Sequence, residues 1–540
     1  MTIKKILNHT SDSIATAAIV LAGASLVSRV LGLVRDRLLT YHFGAGDVLD
    51  TYYAAFRLPD FLYNLLIIGA LSSAFIPIFS EYVSKGAHAR AWKFMNTSIA
   101  TLGTIFFGIS LVCAVGAPLL MVLIAPGFSG DKYTLTVHLT QIMMISPVLM
   151  GLSAVVGGAL QSMRKFLLYA FAPIMYNLGI ILGILLFVPI MGPTGLAVGV
   201  VLGAALHLII QLPALFESGF RPKWEWGWKE KDVQLLLVLM APRAIALAAV
   251  QLNLLVITSL ASELSSGSVA IFNLANNIQS LPIGIIAVSY AVAAFPLMTE
   301  FAAQDNPDGI ARTVASTLRM VLTWIVPIAV LFIVLRAQWV RIILGTGNFD
   351  WNATITTADT LGFFALGLVG QACVHTLARG FYALKDTKTP AITAIGATLF
   401  SIIVALLLMR PLGVRGLAFA SALEATLNAL ILWALLHKRL GSIDDNRMIK
   451  TGLKLFGAAI IMGFIVQGLK NPIAYFVDMQ TFWGIFLQAV GASLGGLIVY
   501  IGIGLLLHSE ELHAIIDASK LHIGKLNRIR VPVEMTDTSN

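Results

Sequence analysis

Residues 28–36 read Ser-Arg-Val-Leu-Gly-Leu-Val-Arg-Asp, and they lie inside an apolar stretch that runs from residue 14 to residue 43. A charged residue at the centre of a membrane helix costs about 2.5–3.5 kcal/mol on insertion scales. Chains that accept this cost usually place the charges in a water-filled cavity that holds a ligand. Because two of these three charges are cationic, the stretch predicts a membrane-embedded cavity that binds an anion.

The composition is that of a protein that crosses the membrane many times. Of its 540 residues, 58% are hydrophobic and 12% are charged, and the mean hydropathy is +0.87. Soluble domains carry about 25% charged residues. No cleavable signal peptide is expected, because no small-residue cleavage site precedes the first long span. The net charge of +9 fits loop topology better than nucleic-acid binding.

Apolar runs of at least about 20 residues, enough to cross the hydrocarbon core, recur about fourteen times between residues 13 and 507. The loops on one side, with the C-terminal tail, carry twenty Lys and Arg residues. The loops on the other side carry four, namely Lys132, Arg410, Arg415 and Lys470. The positive-inside rule therefore predicts that both termini lie in the cytoplasm.

A short internal similarity predicts the domain organisation. Ala-Phe-Ile-Pro at 74–77 recurs as Ala-Phe-Pro at 294–296, about one six-helix lobe later. We expect an all-α polytopic membrane protein with two pseudo-symmetric six-helix lobes and two extra C-terminal helices. The substrate of such a parallel repeat is expected between the lobes near the midplane. The predicted parts are an N-terminal lobe at 1–220, a C-terminal lobe at 221–440, the extra helix pair at 441–508 and a cytoplasmic tail at 509–540.

The segment 219–232 between the lobes is polar and basic, with tryptophans at three alternating positions. This pattern is typical of an interfacial linker that contributes to an aromatic belt. A dedicated contact to lipid headgroups is the alternative.

The charges of the first segments are the main site candidates. Arg29 and Arg35 are separated by about 9 Å along a helix and by roughly 120° around it, whereas Arg29 and Asp36 share a face. One cation is expected to line the cavity, while Asp36 orients it or faces a neighbouring helix; a structural ion pair is the alternative. Arg57 either snorkels, pairs with Asp50 or lines the cavity.

Polar residues in the second lobe extend the candidate site. Arg243 is the repeat partner of Arg29, although it could also be an interfacial anchor. A polar face in the eighth segment is expected to look at the cavity or at another helix, since lipid would be unfavourable. That face consists of Asn273, Asn276, Asn277 and Ser280.

Glu424 is a lone carboxylate in an apolar run, so it is either a cation or proton site or a hydrogen-bonded structural residue. The two cysteines and three membrane histidines show no metal-ligand spacing and are expected to pack: Cys113, Cys373, His138, His207 and His375. No catalytic, nucleotide or metal motif occurs. We therefore expect no enzyme, metal or cofactor, and transport that draws on a monovalent-cation gradient, the membrane potential or the substrate's own gradient.

The residues 28–36, Phe-Gly-Ala-Gly at 43–46, Ala-Phe-Arg-Leu-Pro at 55–59 and the run from Gly-Phe-Tyr to Thr-Pro at 380–390 resemble the lipid II flippase family (MurJ/MviN) of the MOP exporter superfamily. The resemblance spans the first twelve segments. It implies two six-helix lobes around a central cationic cavity and a lipid-tail groove formed by the extra helices. The implied substrate is undecaprenyl-diphosphate that carries the peptidoglycan disaccharide-pentapeptide.

The resemblance also implies roles for individual residues. Arg29 and Arg35 match cavity arginines that engage the diphosphate, and Asp50 and Arg57 match other functional positions. Tyr63 and Asn277 depart from the pattern, because family members often carry arginines there; we expect Arg57 and Arg243 to compensate. The predicted substrate-binding set is Ser28, Arg29, Arg35, Asp36, Asp50, Arg57, Arg243 and Asn277.

The predicted function is a flippase that moves lipid II from the cytoplasmic to the outer leaflet of the bacterial cytoplasmic membrane by alternating access. Membrane lipids and the cell-wall synthesis machinery are the expected partners, without nucleic acid. The alternatives are a flippase for another polyprenyl-diphosphate-linked oligosaccharide and a cation-coupled drug exporter, although exporters usually have acidic cavities. A polyprenyl-phosphate-processing enzyme and a non-transporting scaffold are more distant alternatives.

Overall fold

The computed structural model describes residues 14–65 and 72–513, without the side chains of residues 14–19, 72–74 and 241–250. The described chain is built from helices and connecting turns. The helices are α1 Ile14–Phe43, α2 Asp47–Tyr63, α3 Ser72–Ser84, α4 His88–Val115, α5 Ala117–Ile124, α6 Gly130–Ser162, α7 Phe166–Met191, α8 Thr194–Glu217, α9 Lys231–Ser262, α10 Ser268–Ala303, α11 Pro307–Val334, α12 Arg336–Leu344, α13 Trp351–Ala383, α14 Lys388–Leu412, α15 Val414–Leu440, α16 Asp445–Phe476 and α17 Phe482–Leu506.

Eleven of these helices are long and apolar enough to cross a membrane. Together with α1, the α2–α3 pair and α9, they match the fourteen segments predicted from hydropathy. Every backbone polar group inside a bilayer needs an internal partner, which helices supply. The expected all-α polytopic membrane fold is therefore confirmed.

Helix α10 changes its geometry in the middle, just after its polar residues. Pro282 has no N–H group for the helical ladder, and the next five residues, Ile283–Ala287, form a π-helical turn. The polar amides of α10 all precede this turn, and the residues after it are mostly apolar.

The chain divides into two compact units. The first contains Met1–Leu281, Val340–Phe364 and Ala391–Glu424. One of its apolar cores is organised around three aromatic rings, since the ring of Phe75 stacks on Phe79 at 5.4 Å and on Phe94 at 5.2 Å between centroids. The predicted lobe boundaries at residues 220 and 440 stay predictions.

Helices α7 and α8 of the first unit touch through their backbones. A Cβ atom on Gly179 would lie 2.3 Å from the Cα of Gly203, and one on Gly183 would lie 2.4 Å from the Cα of Gly199. Glycines four residues apart line both helices at this seam. Small residues at this spacing allow membrane helices to approach more closely than side chains permit.

The second unit contains Pro282–Trp339, Ala365–Pro390 and Ala425–Asn540. Helices α16 and α17 pack against each other and against α11, where the Tyr500 hydroxyl donates to the carbonyl of Thr323 at 3.0 Å. The segment after α17 is tied to α11 by a buried ion pair between Arg319 and Glu511, with 2.8 Å between Nε and Oε1.

An almost wholly apolar cavity of about 440 Å³ lies in the second unit. Its wall includes Met448, Ile449 and Phe456 of α16 together with residues of α11, α13 and α15. Such a lining suits hydrocarbon and offers nothing to a charged group.

Candidate functional site

A cavity of about 550 Å³ opens beside the charged stretch of α1. Ser28 and Arg29 both line it, as the sequence predicts. The rest of the wall comes from α2, α3, α6, α7 and α8 and combines apolar residues with aromatic and polar groups. The polar and aromatic contributors outside α1 are Tyr63, Phe75, Ser153, Gln161, Tyr169 and His207.

Among the described residues that line this cavity, Arg29 alone carries a permanent charge. Among the described residues, no carboxylate lies within ion-pair distance of its guanidinium. A partly buried guanidinium of this kind can bind an anion, because it offers several donors in one plane.

Arg35 lies in a different environment, since its charge is balanced by its chain neighbour. Its Nε and Nη2 donate to Oδ1 of Asp36 at 3.0 and 2.8 Å, and its Nη1 donates to Oδ1 of Asn177 at 3.3 Å. The other oxygen of Asp36 accepts from Nδ2 of Asn277 at 2.9 Å. Asp36 thus pairs with Arg35 rather than with Arg29, and it also faces a neighbouring helix.

Asn177 connects this ion pair to the cavity wall. Its Nδ2 donates to the hydroxyl of Ser28 at 3.1 Å and to the carbonyl of Pro173 at 3.2 Å. Because its oxygen accepts from Arg35, the amide orientation is fixed by contacts on both sides. Of the predicted residues, Ser28, Arg35, Asp36 and Asn277 therefore form one connected network next to Arg29.

Arg57 of α2 contacts two neutral partners instead of Asp50. Its Nε donates to the hydroxyl of Thr258 at 2.8 Å, and its Nη2 donates to the amide oxygen of Asn273. Two residues of the polar face of α10 therefore contact other helices: Asn273 contacts α2 and Asn277 contacts α1. For these two residues the prediction that the face looks at another helix instead of lipid is confirmed.

Asp50 does not line the cavity, because it is almost fully buried at the turn between α1 and α2. One of its oxygens accepts from the backbone N–H of Ala270 at 2.9 Å, and the other from that of Gly267 at 2.8 Å. The second oxygen also lies 2.8 Å from Nζ of Lys132. Asp50 therefore caps the N-terminus of α10 and binds a cation of α6.

Lys132 bridges two carboxylates in this cluster. Its Nζ lies 2.6 Å from Oδ1 of Asp47, which also accepts from the hydroxyl of Ser266 at 2.7 Å. Sequence reasoning counted Lys132 only as a loop cation and missed this role. Its spacing from Asp47 and Asp50 is too long for any local rule to have revealed the contact.

The C-terminal end of α1 is hydrogen-bonded to residues 342–348. The hydroxyl of Thr40 donates to the carbonyl of Leu344 at 3.0 Å, and Asn348 contacts the carbonyls of Tyr41 and His42 through its backbone N–H and side-chain amide. Arg37 donates to the carbonyl of Ile342. This cluster and the Asp50 cluster both lie within the first unit, near the α1–α2 turn.

Three further charged residues from the sequence analysis remain, namely Glu424, Arg243 and Arg415. Glu424 accepts from the hydroxyl of Thr398 at 2.7 Å and from Nδ2 of Asn253 at 2.9 Å, so its carboxylate is hydrogen-bonded, in agreement with one of its two interpretations. The described structure does not include the side chain of Arg243, which stays a prediction. Arg415 lies 3.3 Å from Asp359, which accounts for one of the four cations on the less basic side.

The motif at 380–390 has a structural role at the start of α14. Asp386 Oδ1 accepts from the backbone N–H groups of Lys388 and Thr389 at 3.1 and 3.0 Å, and Oδ2 accepts from the Thr389 hydroxyl at 2.8 Å and from Arg439. The hydrogen bonds from Thr389, with those from Arg439, hold the pKa of Asp386 below its usual range. Asp386 is therefore the helix cap of this motif.

The fold and the cavity define a polytopic helical membrane protein of the transporter type, with a polar cavity that contains one arginine. The family model described as "Lipid II flippase MurJ" matches residues 39–487. The chain belongs to this family.

Curated relatives agree over most of the chain. A probable lipid II flippase MurJ of Rhizobium tropici is 30% identical over 462 residues, which cover 84% of this chain and 86% of the relative. The lipid II flippase MurJ of Burkholderia cenocepacia is 28% identical over 459 residues, which cover 84% and 89% of the two chains.

Solved structures show the same fold. The lipid II flippase MurJ in an inward closed conformation superposes with a TM-score of 0.75 at 24% identity, covering 91% of this chain and 99% of that one. An inward-facing MATE family transporter of the MOP superfamily reaches a TM-score of 0.63 at 16% identity, covering 79% and 99%. The fold expected from the resemblance is confirmed, and it is shared with this transporter of the MOP superfamily.

Proposed function

We propose that this chain moves lipid II from the cytoplasmic to the outer leaflet of the bacterial cytoplasmic membrane. The observation that carries the proposal is Arg29, a cation at a polar cavity with no carboxylate partner in the described structure. The headgroup of lipid II must pass about 30 Å of hydrocarbon, and fixed guanidiniums can replace the water around its diphosphate. The curated relatives carry the name of this activity.

Arg29 supplies the positive charge at the cavity wall in this proposal. Arg35 is neutralised by Asp36, so it acts by holding the network in place. Arg57 does not belong to the cavity lining, and its guanidinium donates to two neutral partners, Thr258 and Asn273. The diphosphate would therefore meet the guanidinium of Arg29, and Tyr63 of the same lining stands where family members often have another arginine.

The closed end of the first unit supports alternating access. With the termini in the cytoplasm, as the distribution of Lys and Arg indicates, the α1–α2 turn lies on the outer side. The Asp50–Lys132 cluster and the contacts of Thr40 and Asn348 then close the outer side. These contacts must break before the headgroup can leave outward.

Glu424 and the membrane potential are the proposed sources of coupling. A half-buried carboxylate in a membrane helix, such as that of Glu424, can take up a proton or a monovalent cation. The potential acts on any charge that moves across it by about 2.3 kcal/mol per 100 mV. The polyprenyl tail is assigned to the apolar cavity beside α16, which suits hydrocarbon.

Complementation tests the proposal. Bacteria depleted of their own lipid II flippase would express the wild type, Arg29→Ala or the control Arg312→Ala, all at matched membrane levels. Arg312 is exposed and outside the cavity. We expect rescue by the wild type and the control, and loss of rescue with Arg29→Ala.

The outcomes separate the parts of the proposal. Rescue by Arg29→Ala would overturn the role of Arg29 and leave lipid II as the substrate. Failure of the abundant wild type, combined with transport of a different polyprenyl-diphosphate glycan in proteoliposomes, would overturn lipid II.

A further inference from the structure

The linker between α8 and α9, residues 220–230, is an extended strap that is fixed to α4. The side chain of Asn96 holds it like a backbone partner, since Nδ2 donates to the carbonyl of Arg221 at 3.2 Å and Oδ1 accepts from the N–H of Lys223 at 3.0 Å. A flexible linker would need no such paired contact.

The far end of the strap is fixed as well. A Cβ atom on Gly227 would lie 2.4 Å from the Cβ of Thr97, so the backbone touches α4 at a position where only glycine fits. Lys93 pairs with Glu230 at 2.8 Å, and the hydroxyl of Tyr82 donates to Asp232 at 2.6 Å. The strap is therefore held at residues 221–223, at Gly227 and at Glu230.

The strap points its tryptophans outward. Trp224, Trp226 and Trp228 are 73%, 59% and 50% exposed, whereas Gly227 between two of them is buried. The backbone turns at residues 228–229, where the N–H of Glu230 donates to the carbonyl of Gly227 at 2.9 Å. All three indole rings are therefore exposed beside a backbone that is fixed to α4.

The neighbouring part of α9 indicates the depth of these rings in the membrane. Exposed side chains change from the charged Lys231 to the apolar Leu235, Val238 and Leu239 within about two turns. The strap joins α9 at this change from charged to apolar surface. Tryptophan prefers this level, where the headgroups meet the hydrocarbon.

A basic cleft of about 580 Å³ lies beside the tryptophans. Its lining combines four cations with two carboxylates and includes Trp226 of the strap. The cations are Arg90, Lys93, Lys229 and Lys231, and the carboxylates are Glu230, which pairs with Lys93, and Asp232, which accepts from the hydroxyl of Tyr82. Lys93 is paired with Glu230, while Arg90, Lys229 and Lys231 have no carboxylate within ion-pair distance in the described chain. The cleft therefore has cations available for an anion at the same level as the indoles.

We propose that the strap and its cleft bind the headgroup of an anionic phospholipid in the leaflet on the Lys- and Arg-rich side. The phosphate lies among Arg90, Lys229 and Lys231, and the indole rings lie in the interface around the glycerol backbone. This site shares no lining residue with the cavity of Arg29, so the two sites bind independent ligands.

Native mass spectrometry of the purified full-length chain tests the site. The protein would be given equal amounts of phosphatidylglycerol and phosphatidylcholine, and the retained lipid would be counted. We expect a preference for phosphatidylglycerol that falls about fivefold for each cation removed in Arg90→Gln, Lys229→Gln and Lys231→Gln, combined stepwise. The control is Lys388→Gln/Lys438→Gln/Lys450→Gln, which removes three exposed lysines near the ends of α14, α15 and α16, outside the cleft.

A second variant distinguishes binding at a structured site from nonspecific attraction by the positive charge of the cleft. Asn96→Ala keeps every cation but removes the paired contact that fixes the strap, so we expect it to lose most of the preference while the protein still elutes as a folded species. An equal loss in the control triple variant, an unchanged preference in the cleft variant, or displacement of the lipid by equimolar glycerol phosphate would each overturn the proposal.

Discussion

The carboxylate of Asp50 lies 2.8 Å from the ammonium group of Lys132, and it caps the N-terminus of α10 at the same time. One buried side chain of α2 therefore holds both α6 and α10. The pair is largely withdrawn from water, with side-chain exposures of 2% for Asp50 and 19% for Lys132. Such a pair is costly to break from one side, since the remaining charge stays buried.

The first prediction concerns removal of this cation. Lys132→Met leaves Asp50 buried with only its two backbone donors, and we expect it to destabilise the closed form by up to about 3 kcal/mol. A cysteine label placed near the α1–α2 turn should become more reactive in membranes. The control is Lys85→Met, whose pair with Glu81 is mostly exposed and worth about 0–1 kcal/mol. Equal labelling of both variants would contradict the prediction.

The second prediction concerns the close contact at Gly267. Its φ is +87°, and an added Cβ would lie 2.2 Å from the carbonyl oxygen of Ala45. Gly267→Ala should therefore force the α1–α2 turn away from α10 and lower the thermal midpoint in detergent. Gly86 also has a positive φ, +69°, but nothing lies within 4 Å of its Cβ position. Gly86→Ala should cost only about 1–2 kcal/mol of backbone strain, and a larger effect there than at Gly267 would refute the steric argument.

The third prediction tests whether Arg35 acts through Asp36. Arg35→Leu leaves a nearly buried carboxylate, so this single change should lower stability strongly. The double variant Arg35→Leu/Asp36→Leu should recover part of the loss, with a coupling of about 1–3 kcal/mol in a double-mutant cycle. Additive losses in thermal unfolding would show that the two side chains act separately.

The fourth prediction concerns pH and the cap of α14. Because hydrogen bonds from Thr389 and Arg439 depress the folded-state pKa of Asp386, the carboxylate stabilises the fold above the unfolded value of about 3.8. That contribution is lost as the pH falls through the lower folded-state pKa. Asp386→Ala should cost about 1 kcal/mol at neutral pH, as for other helix caps. Thermal midpoints of the wild type and the variant should converge as the pH falls below 3.8.

If the thermal midpoint of Asp386→Ala stayed equally far below that of the wild type in acid, the loss of stability would come from packing instead of charge. Thr389→Val provides the comparison, since it removes one hydroxyl donor and leaves the Asp386 carboxylate in place. At neutral pH, Thr389→Val should lower the thermal midpoint less than Asp386→Ala does.

Much of the fold follows from sequence because hydropathy determines where helices cross the membrane. The polar face of α10 could also be predicted, since amides at helical spacing must avoid lipid. The pairing of Asp36 with Arg35 rather than with Arg29 could not be predicted. Helical geometry places Arg29 and Asp36 on the same face of α1, whereas the long side chain of Arg35 bends back to reach the carboxylate of Asp36.

Contacts between distant segments account for the other residues that were missed. Lys132 reaches Asp50 only after α2 and α6 come together, and Asn96 reaches the strap across more than one hundred residues of chain. The tryptophan pattern of the strap was visible in the sequence. Whether it belonged to a loose linker or to a fixed surface depended on these long-range hydrogen bonds.

The backbone seam between α7 and α8 has a consequence for water. Helix α7 lines the polar cavity with Tyr169, Ala170 and Pro173, and farther along it Gly179 and Gly183 touch the backbone of α8. At these two levels the helices leave no room for a side chain, and hence none for a water molecule. Water from the cavity therefore cannot pass between α7 and α8 at the glycine contacts.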